Sequence, residues 1–132
     1  MYKQIAGFKL SRNSNSRKAL FRSLIAALIL NGKIETTKVK TKAIQGDIDK
    51  LFTLVVKDSL ANRRLALSKL GNDTVSTDKL FGELKQLTKK RTSGFTRIIN
   101  LPNRKGDNAP MARMEWTDIL EEKKEKKEVK TK

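Results

Sequence analysis

FTRIINLPNRKGDNAPMARMEW, residues 95–116, decides the class of fold. Phe95 to Leu101 is rich in Phe, Thr and Ile, side chains that suit a pleated, half-buried surface. Met111 to Trp116 alternates with period two. Ala112, Met114 and Trp116 fall on one face, and Met111, Arg113 and Glu115 on the other. Between the two runs lies a turn-rich segment from Pro102 to Pro110, containing Asn103-Arg104-Lys105-Gly106-Asp107-Asn108. Two such runs joined this way predict an antiparallel hairpin with a long loop. Asp107 sits beside Arg104 and Lys105, so pairing with them or capping a turn is expected of it rather than metal binding. Upstream, Lys33-Ile34-Glu35-Thr36-Thr37 is short and β-prone and supplies a third strand.

Helical periodicity surrounds these strands. Leu20, Leu24, Ala27 and Leu28 recur at helical spacing, with Phe21, Ile25 and Ile29 widening the stripe. Ser14 or Ser16 can cap this first helix, and Asn31-Gly32 ends it. A second helix is expected from about Val39 to Lys57, burying Ile44, Ile48, Leu51, Phe52 and Val55, with Gly46 as a weak point. Its first turn carries Lys38, Lys40 and Lys42, against the preference of a helix N-terminus for anions. A bound phosphate would relieve that conflict; the alternative is simple exposure to water, and the sequence leaves both open. Ser59 can cap a third helix through Leu70, with Leu60, Leu67 and Leu70 inward and Asn62-Arg63-Arg64 on or beside the opposite side. A fourth begins near Ser76 or Thr77, buries Leu80, Phe81, Leu84 and Leu87, and finishes on Lys89-Lys90-Arg91. Residues 1–13 read as an extended basic arm. Residues 118–132 are nearly all Lys and Glu, and read as disorder or a frayed helix.

The chain has 132 residues, with 30 Lys and Arg against 14 Asp and Glu, a formal charge of +16. That length suits one domain with a tail. The tail, residues 118–132, is close to balanced, so the excess charge lies in residues 1–117. Residues 1–42 hold ten basic residues against Glu35 alone. A surface this cationic repels itself and is suited to a polyanion, nucleic acid first and an acidic membrane second. Cys and His are both absent, which excludes disulfides, Cys/His zinc sites, thiol catalysis and imidazole acid–base chemistry. The longest strongly apolar run, Leu24 to Leu30, is too short to span a bilayer. Lys9, Arg12, Arg17 and Lys18 interrupt the N-terminus before any apolar run, the pattern expected without a secretory signal.

No Gly-rich phosphate loop of the Walker or dinucleotide type is present. Asp47 and Asp49 lie two apart on a helix and point to different faces. No Ser or Thr has a visible general base. The residues therefore predict no enzyme, no cofactor and no metal. Binding chemistry is plentiful instead: Arg forks on phosphate and Lys supplies a mobile point charge. The candidate contacts are Lys3, Lys9, Arg12 and Asn13 in the arm, Arg17, Lys18 and Arg22 on the first helix, and Lys38, Lys40 and Lys42. Arg63, Arg64, Lys89, Lys90, Arg91, Arg97, Arg104 and Lys105 add further ones. No run of exposed aromatics offers a single-strand stacking platform; Phe95 and Trp116 are expected in the core. Backbone and shape reading of folded RNA fits this pattern. A DNA-binding architectural protein is the alternative. A peripheral membrane protein would need exposed apolar stripes, and the stripes here read as core.

Six segments recur in the order of a known family. Leu10-Ser11-Arg12-Asn13-Ser14-Asn15-Ser16-Arg17-Lys18-Ala19-Leu20-Phe21-Arg22 resembles the opening of the bacterial large-subunit ribosomal protein seventeen family. Ile34-Glu35-Thr36-Thr37 with Lys40 and Lys42 resembles its next motif. Ala61-Asn62-Arg63-Arg64-Leu65-Ala66, Lys79-Leu80-Phe81, Gly94-Phe95-Thr96-Arg97-Ile98 and Gly106-Asp107-Asn108-Ala109-Pro110-Met111-Ala112 match later ones. The chain departs from the pattern at Ser16, Thr41 and Ser93. The resemblance covers about residues 1–117. It implies an α+β domain, with about four helices packed on a small mixed three-stranded sheet. It also implies a structural constituent of the large ribosomal subunit that binds and neutralises folded rRNA near the nascent-chain exit tunnel. The implied partners are large-subunit rRNA and neighbouring ribosomal proteins, with no membrane and no small-molecule substrate, in the cytoplasm.

Overall fold

The structure is a computed structural model and describes residues 7–118. Lys3, the first half of the expected arm and nearly all of the Lys/Glu tail lie outside the described residues. Within them the order is α1 (Ser14–Asn31), β1 (Lys33–Thr37), α2 (Lys38–Val56), α3 (Leu60–Lys69), α4 (Thr74–Phe81), a 3₁₀ turn (Leu84–Gln86), α5 (Leu87–Lys90), β2 (Thr96–Leu101) and β3 (Met111–Trp116). Four helices of eight residues or more pack on a three-stranded sheet, so the fold is α+β.

The strand order is β1-β3-β2, with β3 in the middle. The sheet is antiparallel throughout, where a mixed one is expected from the resemblance. The hairpin makes β3 antiparallel to β2, with Thr96 opposite Trp116 and Leu101 opposite Met111. β1 takes the other edge of β3, again antiparallel, with Lys33 opposite Glu115 and Thr37 opposite Met111. The Lys38 amide donates to the Pro110 carbonyl at 2.9 Å. That bond ties the start of α2 to the end of the hairpin loop.

β3 behaves as its alternation predicts: Ala112, Met114 and Trp116 are buried, while Met111, Arg113 and Glu115 are half-buried. The five predicted apolar positions of α2 are all buried. Phe52 is central. Its ring stacks on Phe95 at 4.2 Å between centroids and meets Trp116 edge-on at 5.5 Å. Phe95 itself precedes β2 rather than opening it.

Helix ends follow side chains that the stripes alone do not reveal. α1 is capped by Asn13, not Ser14 or Ser16: the Asn13 side chain accepts from the Ser16 amide at 2.8 Å. Gly32 closes it with φ +76°, a conformation that costs other residues strain. Ahead of the cap the chain turns at Leu10 and Ser11, both at positive φ, so the described part of the arm is not simply extended. Ser59 caps α3 as expected, accepting from the Asn62 amide at 3.2 Å. Leu60, expected inside, is 66 % exposed, and Ala66 and Leu70 form the buried stripe. At 3.6 residues per turn Leu60 stands about 120° around the helix from Ala66. α4 starts at Thr74, earlier than Ser76 or Thr77, because Asp73 is the cap and accepts from the Ser76 amide at 3.2 Å. Ser76 and Thr77 are buried, and their hydroxyls donate back to Asp73 at 2.5 and 2.7 Å.

The expected single helix from there to Arg91 is broken. Gly82 lies outside helical geometry at φ −88°, ψ −88°, and the chain continues as a 3₁₀ turn and the short α5. Gly is a poor helix former, which permits the break. Leu80, Phe81, Leu84 and Leu87 are nonetheless all buried.

Phe52→Ala is expected to cost about 3–5 kcal/mol, the range for emptying a buried aromatic site. Urea unfolding monitored by circular dichroism measures it. A loss below about 1 kcal/mol would show that the α2–sheet junction does not rest on this ring.

Candidate nucleic-acid interface

The described residues include 23 Lys and Arg against ten Asp and Glu. Where the few carboxylates sit decides which cations remain available. Eight cations are ion-paired: Lys50 with Asp47, Arg63 and Lys85 with Asp58, Lys79 with Glu83, Arg91 with Asp118, Arg97 with Glu115, Arg104 with Asp107, and Arg113 with Glu35. Lys9, Arg12, Arg17, Lys18, Arg22, Lys33, Lys38, Lys40 and Lys42 have no ion pair among the described residues. The predicted candidates therefore divide. Those on α1 and at the start of α2 carry unneutralised charge, whereas Arg63, Arg91, Arg97 and Arg104 are each held by a carboxylate.

On α1, the Asn13 side chain is engaged in the cap. Arg12 donates to the Leu10 carbonyl at 3.1 Å and Arg17 to the Arg12 carbonyl at 3.1 Å, which fixes the turn leading into the helix. Arg22 reaches across to α3, donating to the Lys69 carbonyl at 3.2 Å and the Ser68 carbonyl at 3.4 Å. Those are end-of-helix carbonyls that α3 itself cannot satisfy. Lys18 points to no protein partner among the described residues, on the same side of α1 as Arg22.

The start of α2 is a positive end without compensation. Thr37 makes no side-chain cap and the first turn holds no acid. Lys38 and Lys40 are half-buried and Lys42 is exposed. Buried Thr41 donates its hydroxyl to the Lys38 carbonyl at 2.8 Å. The Lys38–Pro110 bond places this turn at the foot of the loop that carries Arg104 and Lys105.

The remaining candidates are scattered over the C-terminal half. Asp58, at the end of α2, takes Arg63 at 2.9 Å and Lys85 at 2.5 Å. Those hydrogen bonds, from Lys85 first and Arg63 second, hold its carboxyl below the usual range. Arg63 is not on the far side of α3, as its position after Asn62 suggests; its guanidinium lies 5.0 Å from the centre of the Phe81 ring. Its neighbour Arg64 is exposed and unpaired among the described residues. Lys89 and Lys90 are exposed, and with Arg91 they line a shallow depression that also includes Thr88, Thr92 and Ser93. Arg97 pairs across the hairpin with Glu115 at 2.6 Å. In the loop, Arg104 grips Asp107 through two bonds of 3.1 and 2.6 Å, as the sequence suggests, and Lys105 stays outside the pair.

Sequence reasoning missed one constellation. Lys18 and Arg22 of α1, Asp47 and Lys50 of α2 and Lys69 of α3 line one groove with Phe21, Ile25, Leu51 and Leu70. No linear spacing signals it, because it needs three helices to meet. Among the described residues no three of His, Cys, Asp and Glu are grouped to hold a metal ion.

In comparison with known families, the model described as ribosomal protein L17 matches residues 20–117. It runs from within α1 through the whole of β3, so it includes the groove's α2 and α3 walls and the full sheet.

The Arg104–Asp107 pair makes a pH prediction. Arg104, then the Ala109 amide at 3.2 Å, draws the Asp107 carboxyl from its ordinary 3.8 down to about 2. The folded value lies below the unfolded one, so the pair supports the loop at every pH above the ordinary value and is lost as pH falls through the folded value. Carbon NMR of the side-chain carboxyl is expected to give a midpoint of about 2. In Arg104→Ala the midpoint returns toward 3.8; an unchanged midpoint would show that Arg104 is not its cause.

Proposed function

Because the chain belongs to the ribosomal protein L17 family, and is thus a structural protein of the large ribosomal subunit rather than an enzyme, we propose that it works by clamping folded rRNA. The contact begins from α1 and the first turn of α2. One observation carries this reading: nine cations between Lys9 and Lys42 have no ion pair among the described residues, and the single acid in that stretch, Glu35, is held by Arg113. Phosphates converging on that surface would be neutralised, letting RNA segments pack closely. Arg12, Arg17, Lys18 and Arg22 form the first contact set, with Lys38, Lys40 and Lys42 the second. Arg64, Lys89, Lys90 and Lys105 extend it. Arg63, Arg91, Arg97 and Arg104 are secondary, because RNA must compete with the carboxylate each already holds. Residues 1–117 form the rRNA-binding domain, with Lys3 and Lys9 on its arm and the residues after 117 as an appended tail.

The site in the particle is near the nascent-chain exit tunnel, beside neighbouring ribosomal proteins, in cytoplasmic ribosomes; family membership supports this placement. No helix among the described residues is long and apolar enough to cross a membrane.

With about eight phosphates engaged, affinity for a large-subunit rRNA transcript is expected to fall roughly 10³–10⁵-fold between 50 and 200 mM salt. Replacing Lys38, Lys40 and Lys42 by Ala is expected to flatten the log–log salt slope by roughly one for each phosphate no longer neutralised. Filter binding measures both, and a salt-independent affinity would reject the mechanism. In a sucrose gradient of cell lysate the protein is expected to stay with large subunits after a high-salt wash; a pool on DNA would speak for the architectural alternative.

A further inference from the structure

Resting on that RNA-binding reading, we infer that the groove between α1, α2 and the end of α3 receives one nucleotide extruded from the RNA stack. The groove has a volume of about 390 Å³, inside the roughly 300–1,000 Å³ range of clefts that hold small molecules. Its floor is apolar. Ile25, Leu51 and Leu70 are buried, and the half-buried ring of Phe21 is the groove's one aromatic surface among the described residues. Its rim is cationic, carrying Lys18, Arg22, Lys50 and Lys69 against the single carboxylate of Asp47.

Those two features together are specific. A bare phosphate needs no apolar floor, and an uncharged apolar ligand needs no lysines. A nucleotide uses both, its base against the half-buried Phe21 ring and its phosphates at Lys18 and Lys69. Unstacked RNA bases commonly settle on single aromatic rings in this way. An acidic protein segment would satisfy the cations, but it brings no flat base to lie on the Phe21 ring and no base amine for Asp47 to accept from.

In the nucleotide reading Asp47 gains a role as an acceptor. Its carboxylate lies 3.4 Å from the Lys50 ammonium, in a long and exposed pair. An ionised carboxylate has about four acceptor positions, so Asp47 at the groove's rim keeps acceptor capacity beyond the bond from Lys50. It suits a base with an exocyclic amine, the donor that Asp and Glu accept from cytosine. Arg22 is anchored on the Ser68 and Lys69 carbonyls, so it fixes the wall instead of roaming over it. Gly71 is part of the same fit. A Cβ there would stand 3.2 Å from the Arg22 side chain, and its φ of +76° already favours glycine.

The test is a charge change that separates insertion from simple attraction. Asp47→Lys makes a cationic rim more positive still. Attraction alone predicts tighter binding to large-subunit rRNA. Insertion predicts weaker binding, by roughly fivefold or more if a base amine loses its acceptor. Filter binding of the full chain to the in vitro transcript reads this, with circular dichroism confirming the fold. Equal or tighter binding overturns the inference. As an independent readout, zero-length ultraviolet crosslinking of the wild-type complex is expected to leave nucleotide adducts on the peptide containing Phe21. Adducts confined to other segments, or an RNA-free groove filled by protein, overturn it equally. Absence of any salt-dependent binding by the wild type would instead refute the RNA-clamping function itself.

Discussion

The ring of Phe52, held face-on by Phe95 and edge-on by Trp116, is the contact on which the arrangement of the molecule depends. It fixes the far half of α2 to the sheet. The near end of α2 is fixed by covalent continuity with β1 and by the Lys38–Pro110 hydrogen bond. A helix pinned at both ends has no freedom to rotate. Its buried stripe faces the core, so Lys42 and the Asp47–Lys50 side face outward, while Lys38 and Lys40 flank the stripe half-buried. α1 and α3 then close against it, and the cationic groove is the seam they leave. A high positive charge on a small domain favours expansion through self-repulsion. An aliphatic core with one aromatic junction opposes that by burial, which does not weaken when the surface charge is left uncompensated.

Carboxylates in this chain are placed to hold structure together, and that placement sets the electrostatics. Asp73 caps α4 and Asp58 joins α3 to the 3₁₀ turn through Arg63 and Lys85. Glu35 and Glu115 make cross-strand pairs on the outer face of the sheet with Arg113 and Arg97. Asp107 organises the hairpin loop. Exposed pairs of this kind contribute little to stability, because water and salt screen them. Their larger effect is to offset part of the charge on the sheet and the C-terminal half, while α1 and the start of α2 keep theirs whole. The direction of the field is thus a by-product of where structural carboxylates are needed.

Much of the fold is legible in the sequence because its signals are local. Period-two alternation in Met111–Trp116, the α2 stripe and the Asn31-Gly32 stop all depend on neighbours in sequence, and the structure agrees with each. Expectation and structure part where a competing partner decides the outcome. Asn13 and Asp73 win the caps from nearby serines and threonine because their side chains reach the third amide ahead. Leu60 lies outside because a ten-residue helix turns its first leucine away from the stripe that Ala66 and Leu70 define. The break at Gly82 is hidden from periodicity because Leu80, Phe81, Leu84 and Leu87 are buried on both sides of the change in helix type. Among the candidate contacts, composition locates the basic N-terminal region but cannot divide the cations into neutralised and open ones. That division depends on acids distant in sequence, such as Glu35 with Arg113 and Asp58 with Lys85.

The open cations also differ in kind from the engaged ones. Nine arginines lie among the described residues, and eight of them donate to a carboxylate or a backbone carbonyl; Arg64 alone has no protein acceptor there. Lysines dominate what is left, including Lys18, Lys38, Lys40, Lys42, Lys69, Lys89, Lys90 and Lys105. Arginine's rigid fork holds a fixed acceptor well and preorganises the bonds it makes, while lysine carries a compact charge on a flexible stem. The division suits a protein whose arginines fasten turns, helix ends and strands, with Arg12, Arg17 and Arg22 keeping their charge because carbonyls hold them, and whose lysines adjust to an irregular polyanion. Such a surface tolerates small changes in phosphate position, because each lysine can swing without losing its charge. It gains selectivity only where shape adds to charge. In this molecule the groove over Phe21 is where the two coincide, since there the lysines rim an apolar floor that a phosphate alone cannot fill.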